Sequence, residues 1–157
     1  MNSSHVLLFA VLIGVACGLR ALTPPACTAW AGHLGWIALR SPLAWLGTLP
    51  AAIIFTLLAL GEIVNDKLPK TPPRTAPPGL IARLLTGALT GASVAVAGGA
   101  SLAVGAGCGV VGALIGTFGG YQIRTRLVKA LGSPDFAIAL LEDAVTIGGS
   151  LWLLSHL

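Results

Sequence analysis

The chain consists of long apolar runs separated by short stretches that contain charged residues or proline. Runs of about 20 apolar residues are typical of helices that cross a membrane. Thr23-Pro24 and Ser133-Pro134 each fit a helix N-cap followed by proline at the first helical position. The pattern predicts an all-α, polytopic transmembrane helical bundle. Its segments cover residues 5–22, 25–40, 43–66, 80–99, 102–127 and 134–155.

The second segment departs from this pattern, because it is short and contains His33 and two tryptophans. An apolar stretch of this length can form a re-entrant or interfacial helix instead of a span. The expected fold therefore has about six segments, namely five spans and one short or re-entrant piece.

Composition supports a membrane protein, since 55% of the 157 residues are hydrophobic and only 9% are charged. Soluble proteins carry about 25% charged residues. The net charge of +4 does not indicate nucleic-acid binding, because the basic residues lie at the ends of apolar segments. The cysteines have no metal-binding spacing and no nucleophile lies beside a plausible base, so neither a cofactor nor an enzyme is indicated. Residues 1–157 are expected to form a single integral-membrane domain.

Basic residues concentrate around two of the predicted loops and so predict the orientation of the chain. Under the positive-inside rule, loops 67–79 and 124–133 face the cytoplasm of a multi-pass protein in the bacterial inner membrane. The loop 67–79 contains five prolines and joins halves 1–66 and 80–157, whose opposite orientation would match inverted-repeat transporters. The basic residues are Lys67, Lys70, Arg74 and Arg83 around the first loop, and Arg124, Arg126 and Lys129 at the second.

Four of the five acidic residues lie in or beside apolar segments. A carboxylate in lipid is costly unless it is paired, protonated or hydrated, so intramembrane acids indicate a functional site. Under the predicted topology these acids gather in one leaflet, near arginines that end their own segments. The acids are Glu62, Asp66, Glu142 and Asp143, their polar neighbours are Asn65 and Thr146, and the nearby cations are Arg20, Arg124 and Arg126.

The last segment carries a polar stripe, and such a stripe must face protein or water within a membrane. Asp143 lies to one side of this stripe, about 100° around the helix. The stripe consists of Asp135, Glu142, Thr146 and Ser150.

Two interpretations of the acids are open. In the functional interpretation they line a cavity, which favours a small transporter or channel for a cation, a proton or a small polar solute. In the structural interpretation they pair with Arg20 and Arg124. The alternative function is a non-transporting lipid-binding or membrane-organising protein, in which Lys67, Lys70 and Arg74 hold anionic headgroups. A membrane enzyme whose acids bind a divalent metal comes third.

Glycine recurs every four residues at Gly112, Gly116 and Gly120. Small residues at this spacing let two helices approach closely. The simplest interpretation is packing within the fold, and the same faces permit a homo-oligomer.

Four segments together resemble an uncharacterised family of bacterial integral-membrane proteins, classed as a domain of unknown function. The resemblance covers nearly the whole chain and implies a small multi-pass membrane protein, with no established activity to transfer. The segments are GLRALTPP (18–25), EIVNDKLPKTPPRTAPPGL (62–80), GTFGGYQIR (116–124) and LLEDAVTIGG (140–149), of which the DKLPKTPPRTAPP run is the most specific. These motifs contain Arg20, Glu62, Asp66, Lys67, Lys70, Arg74, Glu142 and Asp143.

Overall fold

The computed structural model describes residues 2–66, 76–131 and 135–157. Within these residues the chain is all-helical with no β-strand, so the predicted fold class is confirmed. A 3₁₀ turn at Ala44–Gly47 precedes the third helix. The α-helices are α1 (Ser3–Leu19), α2 (Thr23–His33), α3 (Leu49–Asn65), α4 (Pro77–Ala97), α5 (Leu102–Leu131) and α6 (Asp135–Ser155).

Three of these helices are long and apolar enough to cross a membrane, namely Pro77–Ala97, Leu102–Ala130 and Ala137–Ser155. Helices α1 and α3 are also apolar but have 17 residues each. Their length is about 25 Å, compared with roughly 30 Å for the hydrocarbon core of a bilayer. The helices support a membrane location for the chain.

The second predicted segment is a short helix and does not extend over residues 25–40. Helix α2 has 11 residues. It is about 16 Å long, or roughly half the thickness of the hydrocarbon core. The helix ends where Gly35 adopts a φ of 76°, a conformation that favours glycine, and the Trp36 amide donates to the Ala31 carbonyl at 2.9 Å. The expected short piece is confirmed, and a full span over 25–40 is wrong.

Helices α1, α4 and α5 pack closely through glycine and form the centre of the bundle. At each contact, a Cβ atom on the glycine would overlap the backbone of the neighbouring helix. The residue numbers rise together in the α1–α5 contacts and in opposite senses in the α4–α5 contacts, so α4 runs antiparallel to the other two. The contacts are Gly14 with Gly109, Gly18 with Gly116, Gly87 with Gly109, and Gly91 with Gly105.

Helices α2, α3 and α6 complete the bundle around this centre. Helix α6 packs on α1 and α2. It runs antiparallel to α1, because Phe9 lies beside Trp152 near one end and Arg20 meets Asp143 near the other. Helix α3 packs on α2 and the 3₁₀ turn but hardly touches α4 within the part of the chain described here. A gap therefore remains between α3 and α4.

Because successive helices alternate in direction, the charged residues collect at one end of the bundle. This polar end contains Arg20, Asp66, Arg83 and Glu142, whereas Val6 lies at the opposite end, against the turn after α4. The halves α1–α3 and α4–α6 thus run in opposite directions. Their middle helices differ greatly in length, with 11 residues in α2 and 30 in α5.

Candidate functional site

Arg20 is the largest fully buried side chain among the described residues, although it carries a formal positive charge. It follows α1 directly and contacts carboxylates from two other helices. Its Nη1 atom forms an ion pair with Asp66 Oδ2 at the end of α3, and its Nε atom lies 2.7 Å from Asp143 Oδ1 on α6. A buried charge needs such partners, because removing it from water is costly. Arg20 therefore ties α1, α3 and α6 together.

Glu62 caps the start of α2 from a different helix. Its Oε1 atom accepts a hydrogen bond from the Ala21 amide at 2.7 Å, and its Oε2 atom accepts one from the Leu22 amide at 2.8 Å. The amides at a helix N-terminus lack partners within the helix, and the positive end of the helix dipole favours a carboxylate. The expectation that Thr23 is the N-cap is wrong, because Thr23 lies inside α2 and Leu22 is the N-cap residue. The predicted cap at Ser133-Pro134 lies outside the described residues.

The adjacent acids of α6 have different partners. Arg124 Nη1 donates a hydrogen bond to Glu142 Oε2 at 3.0 Å, whereas Asp143 pairs with Arg20. Adjacent helix residues point about 100° apart, so one carboxylate faces α5 and the other faces α1. These are the pairs that the structural interpretation of the acids requires.

The predicted polar stripe placed Glu142 on the same face of α6 as Thr146 and Ser150. In the structure, the acid on the buried face with these two residues is Asp143 instead. The Thr146 hydroxyl donates a hydrogen bond to the backbone carbonyl of Glu142 at 2.7 Å, so its donor has a partner within the same helix. The polar residues of this buried face are Asp143, Thr146 and Ser150.

A lateral cleft of about 480 Å³ separates α3 from the start of α4. Leucines of α3 form an apolar wall along it, and charged residues line it at the polar end of the bundle. This α3–α4 cleft thus changes from apolar to charged along the direction of the helices. The residues that matter below are Leu57, Leu58, Glu62, Asn65, Asp66 and Arg83.

Arg83 lines the α4 side of this cleft and is only 5% exposed. Its Nη1 atom donates a hydrogen bond to the Gly79 carbonyl at 3.1 Å. The sequence pattern assigned Arg83 to orientation alone. The sequence did contain a signal for a site at Arg83. This residue lies inside the apolar run 80–99, where burying its charge in the membrane costs free energy, as it does for the acids. The cleft therefore has carboxylates on one side and a guanidinium on the other.

A second cleft of about 210 Å³ lies between α5 and α6, also at the polar end. Its lining is apolar except for the ion pair of Arg124 and Glu142. Gly120 lies in the wall of this α5–α6 cleft. By contrast, Gly112 and Gly116 lie against the backbone of α1.

The remaining predicted residues fall in different places. Arg126 is exposed near the end of α5. Lys67, Lys70 and Arg74 lie outside the described residues. Within residues 2–66, 76–131 and 135–157, no group of three His, Cys, Asp or Glu side chains is placed to hold a metal ion.

These features define a class, namely an all-helical membrane protein whose described residues form a buried arginine–carboxylate cluster and lateral clefts at one end of the bundle. The family profile described as "Domain of unknown function (DUF4126)" matches residues 7–156. The chain belongs to this family, and the expected membership of a family of unknown function is confirmed. No curated protein and no solved structure matches the chain.

Proposed function

We propose that this protein binds a single membrane amphiphile in the α3–α4 cleft, with the headgroup at the polar end and a chain along α3. The observation that carries the proposal is the make-up of the cleft, which combines about 480 Å³ of volume, a leucine wall and charged side chains at one end. Ligand sites typically enclose about 300–1,000 Å³ and combine apolar walls with a few polar groups.

The apolar and charged ends of the cleft along α3 have the same order as the acyl chain and headgroup of a lipid in the bilayer. Leu57 precedes Asp66 by nine residues, so the apolar wall extends about 13 Å along the helix from the charged end. Because α3 spans most of a bilayer core, its charged end would lie near the headgroup region of one leaflet. A headgroup beside Asp66 would leave its acyl chain in contact with Leu57 and Leu58.

Three of the four acids support binding over transport, because an arginine already pairs with each of them. A cation that passes along these three acids would have to displace an arginine, and breaking a buried ion pair costs about 3–5 kcal/mol. The pairs are Asp66 and Asp143 with Arg20, and Glu142 with Arg124.

The basic segment 67–75 connects two residues that both line the cleft, Asp66 and Ala76. We propose that this end of the bundle faces the cytoplasm of a bacterial cell, as the positive-inside rule predicts. The segment would then meet the anionic leaflet, which attracts Lys67, Lys70 and Arg74.

Gly61→Phe is expected to fill the α3–α4 cleft and to weaken amphiphile binding by about tenfold, which corresponds to ~1.4 kcal/mol. Gly61 lines the cleft, and a Cβ atom there would meet no other atom within 4 Å, so the fold can accept the new side chain. Native mass spectrometry of the full chain in detergent, titrated with a defined phospholipid, measures the bound fraction.

Gly119→Phe is the matched control for this variant. A Cβ atom at Gly119 also meets no atom within 4 Å, but this glycine lies on α5 and lines neither of the two clefts. We expect it to bind lipid as the native chain does. Equal lipid binding by the native chain and by Gly61→Phe would contradict the proposal.

Transport of a cation or small polar solute is the second candidate function. One observation favours it, since Arg20 contacts acids that belong to both cleft regions. Asp66 lines the α3–α4 cleft, and Asp143 adjoins Glu142 of the α5–α6 cleft.

If these acids conduct an ion, Glu142→Gln should remove most of the flux into proteoliposomes, whereas Arg126→Gln should leave the flux close to the native value. Flux is measured with the native chain, both variants and empty liposomes. Absence of flux through the native chain, across a broad panel of ions and solutes, would rule this function out.

A further inference from the structure

We infer that the headgroup held in the α3–α4 cleft is a phosphate ester that carries a primary ammonium group, as in an aminophospholipid. This assignment rests on the proposed function of the same cleft and adds the chemistry of its ligand. It follows from the charges on the two sides of the cleft.

The α3 side of the cleft has an excess of negative charge. Within the described residues, Arg20 is the one cation in contact with Asp66 and Asp143, so a single guanidinium faces two carboxylates. Glu62 adds a third carboxylate, whose partners are two neutral amides. Among the described residues the α3 side therefore carries more carboxylates than cations, even with the roughly half positive charge that the N-terminus of α2 contributes. A cationic ligand group would balance this excess.

The carboxylates on this side can also accept hydrogen bonds from a ligand. A carboxylate offers about four lone-pair sites, and Glu62 uses two of them for backbone amides. The Asp66 side chain remains 15% exposed beside its ion pair with Arg20. A primary ammonium group brings three N–H donors to these acceptors, whereas a quaternary ammonium group brings none.

The α4 side of the cleft presents donors suited to a phosphate. Arg83 lines the cleft, and its guanidinium is anchored on the Gly79 carbonyl. Pro77 and Pro78 lack an amide proton, so Gly79 supplies the first backbone N–H of α4. Gly79 itself lines the cleft. A guanidinium and a helix N-terminus are both groups that bind phosphate in proteins.

Opposite charges on the two sides of one cleft select a zwitterionic headgroup. Phosphatidylethanolamine has a phosphate for Arg83 and an ammonium group for Glu62 and Asp66. Phosphatidylcholine has the same charges but no N–H donor, and phosphatidylglycerol has no cationic group. The expected order of occupancy places phosphatidylethanolamine above both.

The test uses the full native chain in detergent and an equimolar mixture of lipids with identical acyl chains. The mixture contains phosphatidylethanolamine, its N-methyl and N,N-dimethyl derivatives, phosphatidylcholine and phosphatidylglycerol. Native mass spectrometry measures the occupancy of each lipid. We expect occupancy to fall by about two- to tenfold for each added methyl group, because each one removes a hydrogen-bond donor.

Glu62→Gln tests the charge at nearly constant side-chain size. It should retain lipid binding but lose most of the preference for phosphatidylethanolamine over phosphatidylcholine. Arg126→Gln removes an exposed charge on α5 that lines neither cleft, and it is the control, with the preference unchanged. Because Glu62 also caps α2, circular dichroism and size-exclusion chromatography first establish that the variant is folded. The methylation series on the native chain tests the assignment independently of any variant.

The outcomes separate the headgroup assignment from the proposed function. Equal occupancy by all five lipids would overturn the assignment and leave the cleft as an amphiphile site. A preference for phosphatidylglycerol would also overturn it, in favour of an anionic headgroup. If no lipid binds at all, the proposed function itself is wrong.

Discussion

Arg20→Met is expected to destabilise the folded protein by about 3–5 kcal/mol, because it leaves two largely buried carboxylates without their cation. Asp66 and Asp143 belong to different parts of the bundle, so their repulsion would also force α3 and α6 apart. Methionine retains much of the apolar volume of arginine, so the loss of stability is caused mainly by the missing charge and only slightly by an empty cavity. Unfolding in mixed detergent micelles, followed by circular dichroism, measures the free energy of unfolding.

Two further variants separate ion pairing from general damage to the fold. Arg126→Met removes an exposed arginine from α5 and should change the stability by less than about 0.5 kcal/mol. The triple variant Arg20→Met/Asp66→Asn/Asp143→Asn should recover much of the loss, since replacing a whole buried ionic cluster by neutral groups is often close to neutral. If Arg20→Met is as stable as the native chain, the cluster does not hold these helices together.

Gly109→Ala is expected to destabilise the protein by about 2 kcal/mol or more, even though alanine favours a helix over glycine by ~1 kcal/mol. A Cβ atom at Gly109 would overlap the carbonyl group of Gly87 and lie 3.1 Å from Gly91 Cα. Gly14 of α1 lies against the backbone of the same glycine. A packed backbone cannot move aside as a flexible side chain can, so a methyl group here displaces a whole helix.

Gly107→Ala is the control on the same helix. A Cβ atom at Gly107 meets no other atom within 4 Å, so only the helix propensity changes. We expect this variant to gain up to about 1 kcal/mol of stability. Equal stabilities of Gly107→Ala and Gly109→Ala in the same unfolding experiment would show that glycine contacts do not limit the approach of α4 and α5.

The existence of the helices was predictable because apolar length is a local property of the chain. Each of the six segments contains a helix, and the ends of α4, α5 and α6 lie within about four residues of those predicted, as is usual for boundaries inferred from sequence. The doubtful segment 25–40 was also marked by its own residues, since it is short and polar for a span. Helix α2 ends at His33, two residues before Gly35, and this end depends on a backbone conformation that the apolar pattern does not encode.

The sequence also indicated that the acids make buried polar contacts, but it did not identify their partners. An acid in an apolar run signals a buried polar contact, whatever the contact is. Glu142 and Asp143 are neighbours in sequence and yet pair with arginines on different helices. The choice between Arg20 and Arg124 follows from which helix faces each side of α6, and this depends on the packing of the whole bundle.

Glu62 and Arg83 of the candidate site also have roles that depend on parts of the chain distant in sequence. The role of Glu62 depends on the start of α2, about 40 residues earlier in the chain. Arg83 was read as a marker of orientation, because only the gap between α3 and α4 makes it the wall of a cleft. The sequence alone therefore determined a helical membrane protein with costly charges near the ends of its segments. The tertiary structure decided which charges meet and where a cleft remains, because these depend on helix directions and on the close approach of glycine faces.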